Sequence, residues 1–130
     1  MREIKFRGKH IHAFVEPHNT GIWVYGYLCN DHYINSEELM GEMFVDKNTV
    51  GEFTGLKDIN GTEIYEGDIL EETGHFFSND RKTYSEVKWK TNYSCWLRGD
   101  YQRLTPNNIK KWKCRVVGNI WDNPELLNRK

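Results

Sequence analysis

Four carboxylates crowd one short stretch of the chain: Asp58, Glu63, Glu66 and Asp68. Acids at such spacing can ligate a divalent cation or share acid–base work. The same stretch carries two glycine turns, Asn60-Gly61 and Glu66-Gly67-Asp68. At turns, acidic side chains commonly bind nearby backbone amides instead. Gly67 can adopt a backbone angle that other residues resist, and Asp68 can cap the exposed amides after it. No G-K-[ST] follows these glycines, so they do not form a phosphate loop. The reading favours scaffold over site and assigns no catalytic residue here.

His10 and His12 are two apart and share a face if extended. With His18 or His32 they could bind a metal, while His75 stands alone. No HExxH or C-x-x-C spacing supports that, so no metal ligand and no cofactor is expected. Cys29, Cys95 and Cys114 are too scattered for a disulfide framework and read as reduced, packed thiols. Ser85 and Ser94 lack a G-x-S-x-G elbow. The expectation is a protein that is not an enzyme and has no small-molecule substrate.

The formal net charge of −1 conceals a pattern. Residues 31–72 hold twelve acidic and two basic side chains, whereas residues 76–115 hold ten basic and three acidic ones. The basic block, which also includes Arg103, is interleaved with Tyr84, Trp89, Tyr93, Trp96, Tyr101 and Trp112. Cations that neutralise phosphates and aromatics that stack on bases are the tools of single-strand binders. Arg81, Lys82, Lys88, Lys90, Tyr93, Arg98 and Lys111 are therefore the candidate nucleic-acid or partner-binding residues. Two other readings stay open. The aromatics could be core with the lysines as a solvated face, or the block could meet the acidic half of a second copy.

These residues need elements to position them. Arg2 to Arg7 alternates charged and apolar residues, as a half-buried strand does. A turn is expected at 16–21, then a strand over 21–28 rich in β-branched and aromatic residues, with His32-Tyr33-Ile34 as a short hairpin arm. Ser36 to Phe44 reads as a helix capped by Ser36, although Gly41 weakens it. Short strands follow at 50–54, 62–65 and 69–72. Residues 73–84 read as a long polar hairpin loop. Ser85 to Lys90 alternates cleanly and should pair with Cys95 to Arg98, pointing Val87 and Trp89 one way and Lys88 and Lys90 the other. Thr105-Pro106 starts a helical turn, 113–120 is the last strand, and Asn123-Pro124 starts a closing helical turn. Many short strands with regular turn signals mean an all-β fold of small barrels or sandwiches.

Four stretches, in order along the chain, resemble the YopX family of small proteins carried by bacteriophages and prophages. They are Arg2 to Arg7, Trp23-Val24-Tyr25-Gly26, Thr49 to Ile69, and Val117 to Leu127. The chain departs from the family after Arg7, where Gly8-Lys9-His10 replaces a small residue, Trp and an acid. It also carries the acidic segment 36–44 between signatures. The resemblance implies an all-β protein of two small β subdomains. Residues 1–50 would form an N-terminal β segment, and residues 51–130 an SH3-like β-barrel with a C-terminal helical turn. It implies a homo-oligomer and brings no catalytic residues.

No apolar run is long enough to span a bilayer, and the N-terminus lacks a secretory apolar core, so no membrane partner is expected. The chain is expected in the cytoplasm of a bacterial host cell. The leading expectation is a phage or prophage accessory protein that acts as a self-associating interaction module. The alternative is a nucleic-acid-binding small barrel that uses block 81–115.

Overall fold

The computed structural model describes residues 3–11, 21–76 and 79–128, with only the backbone course given at 74–76 and 79–80. Most of the turn expected at 16–21, and with it His12 and His18, lies outside the described residues. The chain is all-β with short helical turns and divides into two compact units, Met1–Phe53 and Thr54–Lys130.

The first unit holds strands β1 (Phe6–His10), β2 (Trp23–Asn30), β3 (Tyr33–Ser36) and most of β4 (Gly41–Lys57). They run antiparallel in the order β1-β2-β3-β4, and β1 pairs back onto β4. Phe6 thus faces Gly26 on one side and Glu52 on the other. Closing the ring leaves these strands without an open edge. Val24, Ile34 and Val45 fill the inside, with Phe6, Met43 and Val50 packed around them. Gly8 lies against this core. A Cβ there would come within 3.0 Å of Val45, so the strand continues through Gly8 because nothing larger fits.

The helix expected at 36–44 does not form. Ser36 Oγ does accept the Leu39 amide at 3.1 Å, as a helix cap would, but Met40 turns left-handed (φ 59°) and Gly41 already pairs with Ser36 as a strand. A capped turn of four residues is common to a helix start and a tight hairpin. The apolar side chains then decide. In β4, Met43 and Val45 alternate with Glu42 and Phe44, and this places Val45 in the barrel core.

The second unit holds β5 (Glu63–Tyr65), β6 (Asp68–Phe76), β7 (Asn79–Lys90), β8 (Cys95–Arg98), β9 (Gln102–Arg103), helix α1 (Pro106–Lys111) and β10 (Arg115–Asn119). A 3-10 turn, Pro124–Asn128, follows. Its larger sheet is antiparallel in the order β10-β6-β7-β8-β9. The loop expected at 73–84 is paired strand at 73–76 and 79–84: β6 and β7 pair without interruption from Ile69↔Glu86 to Phe76↔Asn79. Backbone pairing holds such a long two-stranded ribbon together.

Ile64, Leu70, Val87, Trp96, Leu104, Ile109 and Cys114 form the core of this unit. Burying a side chain such as Leu70 stabilises the fold by about 2 kcal/mol. Thr105 caps α1 by accepting the Asn108 amide at 3.1 Å, with Pro106 in the first turn, and this turns Ile109 inward.

Candidate partner-binding surface

Two of the four acids of 58–68, Asp58 and Asp68, are wired into the backbone. Asp58 is buried. Its Oδ1 accepts the amides of Asn60 (2.8 Å) and Thr62 (2.9 Å), and its Oδ2 accepts the Val116 amide at 2.8 Å. One carboxylate therefore shapes the Asn60-Gly61 turn and ties it to β10. Asp68 is buried too, and its Oδ2 accepts the Tyr65 amide at 2.7 Å. The capped amide precedes Asp68, where the sequence suggested one after it. Between them Gly67 takes φ 88°, and the ring of Trp121 occupies the space where a Cβ would project.

The histidines are dispersed in role. His10 is buried and donates from Nδ1 to the Phe44 carbonyl at 2.7 Å, while His32 sits at a turn, 3.5 Å from Asp31. Among the described residues, no group of three or more His, Cys, Asp or Glu is placed to hold a metal ion. Cys114 is fully buried, and burial together with the nearby Glu72 charge pushes its thiol up to about 12. A thiol so far above neutrality carries almost no thiolate, so it is inert as a nucleophile.

The two charge blocks interleave in space. Glu71 accepts from Arg115 Nε (2.8 Å) and Tyr84 Oη (3.0 Å), with Lys82 Nζ at 3.9 Å. Burial opposes its ionisation, but the hydrogen bonds from Arg115 and Tyr84 outweigh it and hold the carboxyl below its usual range. Glu72 takes Arg98, whose side chain is only 6% exposed and whose Nη1 lies 2.5 Å from Glu72 Oε1. Arg98 Nε also donates to the Arg103 carbonyl at 3.2 Å. Arg98 is thus an internal strut, and the structure removes it from the candidate surface residues. Two carboxylates of the acidic block, Glu71 and Glu72, are thus met by cations of the basic block inside the second unit.

The remaining candidates separate into three places. Arg81 and Lys82 are exposed on the first half of β7. Lys111 projects from the end of α1, with its Nζ 5.2 Å from the centre of the Trp112 ring. Lys88, Lys90 and Tyr93 come together with residues of β8 and β9. Lys88 faces Leu97 and Lys90 faces Cys95 across the β7–β8 pair, so all four share one face of the sheet. On the opposite face Val87 enters the core and Trp89 meets Trp96 edge-on at 5.0 Å.

That first face carries a cleft of about 190 Å³ with Lys90, Tyr93, Leu97, Asp100, Tyr101 and Arg103 on its walls. Two turns shape it. Ser94, left-handed at φ 48°, presents Tyr93 before β8, and Gly99, at φ 78°, presents Tyr101 after it. Tyr93 is 68% exposed and Tyr101 89% exposed, and Lys90 Nζ lies 5.9 Å from the Tyr93 ring centre. Lys88 donates to Asp100 at 2.8 Å; this bond raises the lysine and lowers the carboxyl, so both remain charged. Lys90 and Arg103 form no ion pair among the described residues. Tyr101 and Arg103 were read as part of the basic aromatic block but not among its candidate binding residues, and Asp100 was not singled out from the sequence. The signal for them was the Gly99-Asp100 turn, which folds the chain back on β8.

Fold and surface define a class: a small two-unit all-β protein with a cationic, aromatic cleft on its second unit. The chain belongs to the YopX family, whose model, described as YopX protein, matches residues 15–128. Among solved structures it is similar to protein EF1440 from Enterococcus faecalis, at 24% identity and a TM-score of 0.55. The match covers 98% of this chain and 99% of that one, and at this identity it bears on the fold alone. Curated proteins yield no match to the chain. No helix among the described residues is long and apolar enough to cross a membrane.

Proposed function

We propose that the protein is a phage or prophage accessory protein that works as a non-enzymatic interaction module in the host cytoplasm and self-associates. The observation that carries self-association is the surface charge of the two units. In the first, Asp31, Glu37, Glu38 and Glu42 are exposed and Asp46 and Glu52 half-buried. In the second, Arg81, Lys90, Arg103, Lys110 and Lys113 are exposed and form no ion pair among the described residues. The exposed acids on the first unit of one copy complement the basic surface of another, a head-to-tail contact. The binding character is supported by the wiring of Asp58 and Asp68 to backbone amides, which takes them out of chemistry. Light scattering across a salt series tests the proposal. Assemblies should form at low salt and dissociate as salt rises, and a strict monomer at low salt would remove self-association.

A second reading, nucleic-acid binding, is favoured by one specific observation. Tyr93 and Tyr101 stand exposed beside Lys90 and Arg103 in a single cleft.

A further inference from the structure

We infer that the cleft between Tyr93 and Tyr101 is a binding site for single-stranded nucleic acid. The two rings form stacking platforms for bases, and Lys90 and Arg103 meet the phosphates. The inference rests on the second reading above and names its site.

Tyr93 and Tyr101 are 68% and 89% exposed, so their ring faces are open to a partner. Every base has a π-face, so stacking on such rings is tolerant of sequence. The turns at Ser94 and Gly99 hold the two rings at opposite ends of β8, so a partner must reach from one to the other. A flexible strand of linked bases can do this. A duplex cannot, because its bases are already stacked on each other. The cations are placed to follow the same strand: Lys90 lies beside Tyr93, and Arg103 pairs with Leu97 at the floor.

One charge opposes the anion. Asp100 stands on the cleft wall and occupies Lys88. This makes a prediction that stacking alone would not. Asp100→Asn removes a negative charge and releases Lys88 at once, so affinity should rise and the salt dependence should steepen by about one phosphate contact.

The test is fluorescence anisotropy with the full chain and labelled oligo-dT or oligo-U of about 15 nucleotides, near the upper end of what one small barrel covers. Both strands should bind, and a duplex of the same length more weakly. Tyr93→Ala and Tyr101→Ala should each weaken binding roughly tenfold. Lys90→Glu should weaken it and reduce the salt slope by about one contact. Circular dichroism confirms that each variant folds; both tyrosines are surface residues, so folding should persist. Two results overturn the inference in different ways. If strands bind but neither tyrosine substitution nor Asp100→Asn changes affinity, the chain binds nucleic acid elsewhere and only this site is wrong. If no strand binds at low salt, the site and the second reading fall together, and light scattering on the same sample shows whether the self-associating module stands.

Discussion

Arg98 Nη1 lies 2.5 Å from Glu72 Oε1, and both side chains are nearly withdrawn from water. The pair sits beside Cys114, whose Sγ is 3.7 Å from the same carboxylate oxygen, and the Arg98 guanidinium is 5.9 Å from the Trp112 ring centre. Removing one partner strands the other charge in a low-dielectric site. Arg98→Ala should therefore destabilise the fold by about 3–5 kcal/mol, while an apolar pair such as Arg98→Met with Glu72→Leu should recover most of that loss. Chemical denaturation checks this. An apolar double variant as unstable as Arg98→Ala would show that a stranded Glu72 charge is not the source of the loss.

Asp58 holds three backbone amides from two parts of the chain. Asp58→Ala leaves them without their acceptor and should cost about 2–4 kcal/mol. Asp58→Asn keeps one oxygen acceptor and should lose less. Thermal unfolding of the two variants against wild type reads out the difference, and a neutral Asp58→Ala would exclude a structural role for this acid.

Gly67 combines a left-handed backbone with the Trp121 ring pressed over it. Gly67→Ala meets both obstacles and should cost about 2 kcal/mol or more. Adding Trp121→Ala relieves the steric part only, so the glycine substitution should be milder in that background. A double-mutant cycle measures the coupling between the two positions.

Stability should form a plateau bounded by two named groups. Glu71 has its folded pKa depressed, so its contribution is present above the unfolded value of about 4.3 and disappears as pH falls through the folded one. Cys114 has its folded pKa raised to about 12, so its contribution is complete below the unfolded value of about 8.5 and is lost as pH rises through the folded value. Denaturant midpoints across pH check both arms. Glu71→Gln should flatten the acid arm and Cys114→Ser the alkaline arm. In the native protein a maleimide at neutral pH should modify exposed Cys29 and leave Cys114 until unfolding.

The legible parts of the chain were those set by local rules. The pairing of Val87–Lys90 with Cys95–Arg98 was readable because apolar and charged residues alternate before a short polar turn and a short apolar run follows it. Thr105-Pro106 announced α1 through its cap and its fixed backbone angle. The segment 36–44 was misread because Ser36 makes the same bond at a hairpin as at a helix start. The length of the β6–β7 ribbon was hidden because backbone pairing, which sustains it, leaves little trace in side-chain pattern.

The sequence by itself determined the all-β class and the family. Alternation, turn residues and recurring signatures act over a few positions and need no distant partner. Only the tertiary structure decided which charges are surface charges. Arg98 and Lys90 look alike in the chain, yet Arg98 meets Glu72 across twenty-six positions and is buried, while Lys90 stays exposed beside Tyr93. An ion pair depends on distance in space, and strand pairing sets that distance. For the same reason Tyr93, Tyr101 and Arg103 become one cleft only when β7, β8 and β9 lie side by side.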